Sequence, residues 1–192
     1  MHKEKGKKEI ILRGKTAVFI DWANVYGWKK SLKSEVDISI LYKYLKSYKN
    51  IGEIYLYFGK DNHPKSEEFL NRAEKIGYKI ITKPVKYILI ENFETKKIYR
   101  RKCDFDMEVC IDVHKKVAEN FESFVFFTGD GDFEPLYKLL VELKKQTIVV
   151  YTKGHLGREI WNMKNGIFKV ELENLIDIQT MSPSTLRAGG RD

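Results

Sequence analysis

Apolar positions along this chain switch repeatedly between a period of two and a period near 3.6, and each switch marks an element. Residues 16 to 21 (TAVFID) form a short β-branched and aromatic run closing on an acid, which predicts a buried strand feeding a loop. From Asp37 to Tyr48 the spacing becomes helical, with Ile38, Leu41, Tyr42, Leu45 and Tyr48 on one side and Asp37 placed as the cap. EIYLYFG is the next strand, Pro64 to Ile76 a helix that Gly77 would close in the left-handed conformation, and KIITKPV a further strand. Between Tyr87 and Lys102, two β-rich pieces around NFETKK predict a hairpin or extended excursion. A helix from about Asp104 to Glu119 follows, then the strand SFVFFTG. The pattern closes with a helix from about Glu134 to Lys145 with Pro135 in its first turn, the strand TIVVYT, a short helix around Leu156 to Met163, and a strand around Ile167 to Val170.

This alternation predicts an α/β fold, a mostly parallel sheet covered by helices on both faces. One domain is expected over 16–178, between a basic N-terminal arm (1–15) and a flexible C-terminal tail (179–192). At 192 residues with 43% apolar content, the chain can bury a sizeable core, which excludes a largely disordered protein. No apolar run reaches membrane-spanning length, and the start MHKEKGKK lacks the apolar stretch of a secretory signal, so a cytoplasmic protein is expected. Cys103 and Cys110, seven residues apart, would stand about 10 Å apart along one helix, too far for a disulfide. The four histidines (His2, His63, His114, His155) do not combine with them at zinc spacing. The formal charge of +8 favours a polyanionic partner, nucleic acid or an anionic surface.

A basic chain that still concentrates Asp at a few strand ends invites a metal. In such a sheet the strand C-termini and the helix N-termini that follow share one edge, where ligands bind. Asp21 ends the first strand, Asp130 and Asp132 follow SFVFFTG, and Asp106 opens a helix, so all four are expected on that edge. Cys110, Val113 and Val117 follow Asp106 at +4, +7 and +11 as an apolar stripe, which points Asp106 inward. Gathered carboxylates repel until protons or a cation join them, and magnesium or manganese suits hard oxygen ligands. Each acid also has an ordinary use as a helix cap: Asp132 stands before the helix at Glu134, and Asp104 is assigned the cap of its own. Four acids on one edge favour the metal over four separate caps. Asp112 lies about 240° around the helix from Asp106, beside Glu108, Lys115 and Lys116, which predicts a solvated charged flank.

AVFIDWANVY, KCDFDMEVCIDV and FVFFTGDGDFEPL, in this order, resemble the NYN domain, a branch of the PIN-like nuclease superfamily, over about residues 16 to 178. The resemblance implies a PIN-like three-layer sandwich whose acids hold one or two divalent cations, Mg2+ or Mn2+. It also implies cleavage of phosphodiester bonds, with RNA preferred to DNA. Matched residue by residue, Asp21, Asp106, Asp130 and Asp132 are the metal-binding set, and Asn24 and Thr128 are supporting polar groups. Asp112 also matches a family acid, against its helical phase, and is contested; Gly131 stands where many relatives carry a hydroxyl residue. On this basis Asp21, Asp106 and Asp130 would hold a cation that activates water and polarises the scissile phosphate, with Asp132 binding a second ion or orienting the water.

Lys96, Lys97, Arg100, Arg101 and Lys102 immediately precede the helix of Asp106 and are expected to meet the phosphate backbone, the alternative being a solvated hairpin. Trp22 is assigned to covering the core, while Tyr26 and Trp28 stay open between base stacking and cover. His63 is assigned an ordinary loop role. His155 and Arg158 either bind phosphate or belong to a turn made by Gly154 and Gly157. The chief competing class is a catalytically silent nucleic-acid-binding or regulatory module. A DNA nuclease comes next, and a receiver-like phosphoacceptor is disfavoured because Asp130, Asp132 and Thr128 crowd one strand end. A homo-oligomer is compatible with all of these.

Overall fold

The structure, a computed structural model, describes residues 9–92 and 97–177, without the side chains of Asn92 and Lys97. The expectations for residues 1–8, Lys96, the domain end at 178 and the tail 179–192 lie outside the described residues. Along the chain run β1 (Thr16–Asp21), α1 (Trp22–Gly27), α2 (Lys29–Leu32), α3 (Ile38–Lys46), β2 (Ile51–Lys60), α4 (Pro64–Ile76) and β3 (Lys79–Pro84). Next come β4 (Lys86–Asn92), β5 (Lys97–Lys102), α5 (Asp106–Ala118), β6 (Ser123–Phe127) and a 3-10 turn (Gly131–Phe133). The remainder is α6 (Glu134–Glu142), β7 (Gln146–Tyr151), α7 (Arg158–Asn162), β8 (Ile167–Glu171) and α8 (Leu172–Leu175).

Six strands form one sheet in the order β3-β2-β1-β6-β7-β8, every adjacent pair parallel. Among the described residues, antiparallel pairing occurs only in the separate β4–β5 ribbon. A parallel central strand is covered on both faces, and β1 shows why its sequence reads as a continuous apolar run. Val18 and Ile20 enter a core with Trp28, Leu41, Leu45 and Leu56, while Ala17 and Phe19 enter the opposite core with Val113, Phe124, Phe126 and Tyr137. Two cores on either side of one sheet make the three-layer α/β sandwich of the PIN-like type. Chain order runs from β1 outward to β2 and β3, then returns to the other side of β1 at β6. That reversal opens a crevice beyond the ends of β1 and β6, the place where open α/β sheets take ligands.

Helix ends follow the sequence closely. Asp37 caps α3 by accepting from the backbone N–H groups of Ser39 (2.7 Å) and Ile40 (3.1 Å). Gly77 closes α4 at φ +111°, a conformation that costs glycine little. Two local expectations fail. Asp21 leads straight into α1 rather than into a loop. The buried side of α5 consists of Val109, Asp112, Val113 and Lys116, with Cys110 and Val117 half-buried, so the helix is turned relative to the predicted stripe. Hydropathy misplaced it because the two buried charges are paired. Lys116 Nζ meets Glu53 (3.0 Å) and Glu119 (2.6 Å), and Asp112 accepts from the Tyr57 hydroxyl (3.1 Å) and Lys115 Nζ (2.9 Å). Both cysteines are free and half-buried, and burial raises both thiols above their ordinary value. No helix of the described residues is long and apolar enough to cross a membrane.

Candidate functional site

Asp21 occupies the last position of β1 and caps α1, its Oδ1 accepting from the N–H groups of Ala23 (3.0 Å) and Asn24 (3.3 Å). Burial, aided by the charges of Asp130 and Asp106, pushes its carboxyl up to about 6 against the lowering effect of those two bonds. Asp130 stands three residues beyond β6, on the other side of the crevice. Its N–H donates to Thr128 Oγ1 (3.2 Å), and its Oδ1 accepts from the Asp132 N–H (3.1 Å), capping the 3-10 turn. Asp106, in the first turn of α5, is raised chiefly by burial and then by Asp130, Asp104 and Asp132, with Lys83 opposing. The charge of Asp130 thus acts on both Asp21 and Asp106, and that of Asp106 on Asp21. Asp132 is exposed and acts on Asp106 from the rim.

Supporting groups hold the crevice together. Asn24 Oδ1 accepts from the Gly129 N–H (3.1 Å), tying α1 to the loop after β6. Gly129 in turn accepts from the Gly157 N–H (2.6 Å), bringing the loop after β7 against it. Thr128 is buried beneath this junction. At Gly131, where a hydroxyl-bearing residue was expected of relatives, an added Cβ would meet the Glu159 carboxylate.

Among the described residues, no three His, Cys, Asp or Glu side chains stand close enough to hold a metal ion as they are placed. The donor chemistry nevertheless suits a hard divalent cation. The acids offer only oxygen, and a carboxyl raised to about 6 beside two like charges is a place where added positive charge is favoured.

Asp104 does not cap α5. The cap position is Phe105 without a side-chain bond, and Asp104 pairs with Lys102 (3.4 Å). Asp132 does not cap α6 either, because the 3-10 turn intervenes and Phe133 takes that position. Asp112 is buried on Tyr57, not solvated, and points into the core between α5 and β2 rather than standing with the other acids. Asp112→Ala is expected to cost about 1–3 kcal/mol of stability, measured by denaturant unfolding, because the Tyr57 hydroxyl is left without its acceptor.

The basic segment is partly engaged. Arg101 binds Asp61 (2.7 Å), Lys102 binds Asp104, Arg100 is exposed, and Lys97 opens β5. Trp22 packs on Phe69 and Trp28 is fully buried, so both cover the core, whereas Tyr26 is exposed. His63 Nδ1 accepts from the Lys65 N–H (3.2 Å) as the cap of α4, a structural use in place of the plain loop role expected. His155 Nε2 lies 2.8 Å from Ser31 Oγ, while Arg158 opens α7 with an exposed side chain. Sequence reasoning passed over Ser31, and also Lys83, which pairs with Glu108 (2.8 Å) and lies over the Phe105 ring. Lys83 near the end of β3 was available to the same strand-end logic that located the acids. Ser31 carried no signal.

The model of the NYN domain family matches residues 15–170, most of the chain. The chain belongs to the NYN domain family. Membership gives it a nuclease-type fold, a family association with nucleic acid, and kinship with PIN-like nucleases that generally use divalent metals. The low amplitude and bright protein LabA of Synechococcus elongatus is 28% identical over 148 residues, covering 76% of this chain and 78% of that protein. A crystal structure of VPA0982 from Vibrio parahaemolyticus, described as a protein of unknown function, superimposes with a TM-score of 0.65 at 18% identity. The match covers 91% of this NYN chain and 99% of that one, and it shows a shared fold.

Proposed function

We propose that this NYN protein is a metal-dependent ribonuclease, its catalytic unit residues 16–178, that hydrolyses RNA phosphodiester bonds at the β1–β6 crevice. The observation that carries this reading is the half-buried Asp21 carboxyl at the end of β1, where the strand order reverses, raised to about 6 chiefly by desolvation and further by the charges of Asp130 and Asp106. Structural ion pairs give a buried acid a cation of its own. Asp21 has instead two other acids in its field, an arrangement that costs stability unless a cation or a proton serves it.

Asp21, Asp106 and Asp130 would hold Mg2+ or Mn2+, and Asp132 on the rim would take a second ion or orient water. When bound, the cation supplies an activated water and neutralises charge on the scissile phosphate. The chain's own residues do the positioning. The α1 backbone N–H groups fix one oxygen of Asp21, and Thr128 sets the backbone of Asp130. Asn24 holds Gly129, and with it the loop that carries Asp130 and Asp132. No side-chain nucleophile is required.

The test is incubation with labelled single-stranded RNA, structured RNA and DNA, with Mn2+ and with chelator. RNA is expected to be cut only with metal, and not by a protein carrying both Asp21→Asn and Asp130→Asn. Binding of RNA without turnover in Mn2+ would identify a silent nucleic-acid-binding module instead, and cutting of DNA alone would overturn the choice of RNA.

A further inference from the structure

The β4–β5 ribbon pairs only with itself among the described residues. Its register sets Tyr87 opposite Arg101 and Leu89 opposite Tyr99, and opposed residues of an antiparallel ladder share a face. One face therefore carries Tyr87, Leu89, Tyr99 and Arg101. Tyr87, Leu89 and Tyr99 are 56%, 45% and 52% exposed. Large apolar side chains gathered on one exposed surface mark an interaction site.

Charge decides what kind of partner fits. The described side chains of the ribbon include four cations, Lys86, Arg100, Arg101 and Lys102, and one acid, Glu91; Arg101 and Lys102 hold exposed ion pairs with Asp61 and Asp104. A second copy would bring the same cations against these, whereas a polyanion complements them. Arg101 shares the face of the rings, while Lys86, Arg100 and Lys102 stand on the other face of this thin ribbon. Aromatic rings accept the flat faces of bases, and those faces are free only in an unpaired strand.

We propose that this face of the ribbon is a platform for unpaired nucleic acid, with bases stacked on Tyr87 and Tyr99 and phosphates drawn by the ribbon's excess of positive charge. Location adds to the case. Arg101 ties the ribbon to Asp61 just past β2, the strand beside β1, and β5 runs into α5, where Asp106 lies four residues beyond Lys102. A strand seated on the platform is thereby led toward the acids. Only that destination rests on the nuclease proposed above; the binding does not.

The experiment is fluorescence anisotropy in chelator with a labelled single strand of roughly twelve nucleotides, as RNA and as DNA, and with the same sequence as a duplex. The single strand is expected to bind at least tenfold more tightly than the duplex. The double variant Tyr87→Ala with Tyr99→Ala is expected to lose tenfold or more, while Tyr87→Phe with Tyr99→Phe keeps the affinity. Circular dichroism establishes that both variants are folded. Unchanged binding by the alanine variant overturns the proposal. It is overturned too if the alanine changes abolish self-association, or binding to anionic vesicles, without affecting the oligonucleotide. Strand binding in chelator without cleavage in Mn2+ keeps the platform and removes the catalytic proposal; cleavage with ribbon-independent binding does the reverse.

Discussion

Asp21→Asn is expected to abolish metal-dependent cleavage and, in the same protein, to raise stability in metal-free buffer at neutral pH. Asparagine keeps an oxygen that can cap α1, so the bonds from Ala23 and Asn24 survive, and only the charge is lost. The sign follows from the direction of the shift. A carboxyl at about 6 when folded, against 3.8 as the ordinary value, binds its proton more tightly in the folded protein. Ionising it therefore costs folding free energy, a cost absent below about pH 4, growing through the interval, and complete above about pH 6. Two pH units correspond to at most about 3 kcal/mol, and residual solvation trims this to about 1–3 kcal/mol. Melting temperatures in chelator should thus separate near pH 7.5 by several degrees in favour of the variant, at about 2–4 °C per kcal/mol, and converge near pH 4. Mn2+ should reverse the order by stabilising the wild type alone. Equal stability near pH 7.5 would mean that Asp21 bears no burial penalty, and retained cleavage would remove it from the site.

The second large effect is expected at Gly129. A Cβ there would overlap the carbonyl oxygen of His155, with the His155 carbonyl carbon and the Leu156 Cα also within reach, all of them backbone atoms. Backbone cannot swing aside as a side-chain tip can, and Gly129 is also held by Asn24 and by the Gly157 N–H. Gly129→Ala should force the loops after β6 and β7 apart. A loss of more than about 2 kcal/mol is expected from overpacking, together with at least a tenfold fall in cleavage as Asp130 leaves its place. Gly27 is the control, because a Cβ there meets nothing and the residue ends a helix. Gly27→Ala should leave both the denaturation midpoint and cleavage within error or slightly improved. Similar midpoints for the two variants would show that the loop junction yields, contrary to this account.

The family match strengthens the fold more than the chemistry. Residues 15–170 carry the NYN signature, and the nuclease-type sandwich follows from it. Cleavage calls for the acids to close on an ion, and among the described residues no three stand close enough to hold one. For that reason the stability and metal-binding readouts on Asp21 are paired with the activity assay: they report on the site even if turnover is absent.

Local order determined much on its own. The β-branched and aromatic run TAVFID reads as a buried strand, and Asp37 and Gly77 set the ends of their helices through short-range hydrogen bonding and backbone sterics. Strand ends fall on a common edge in any parallel α/β sheet, so Asp21, Asp106, Asp130 and Asp132 could be expected on one edge from the sequence alone. Which strands lie side by side depends on pairing between residues about 100 positions apart, and periodicity holds no trace of it. Only the tertiary structure set β1 against β6 and brought Asp21 and Asp130 to the same crevice. It alone showed that Asp112 and Lys116 are inside, because hydropathy prices a charge as exposed until its partner, Tyr57 or Glu53, is brought to it by the fold. The four carboxylates were written in the chain; the burial that raises Asp21 belongs to the assembled sheet.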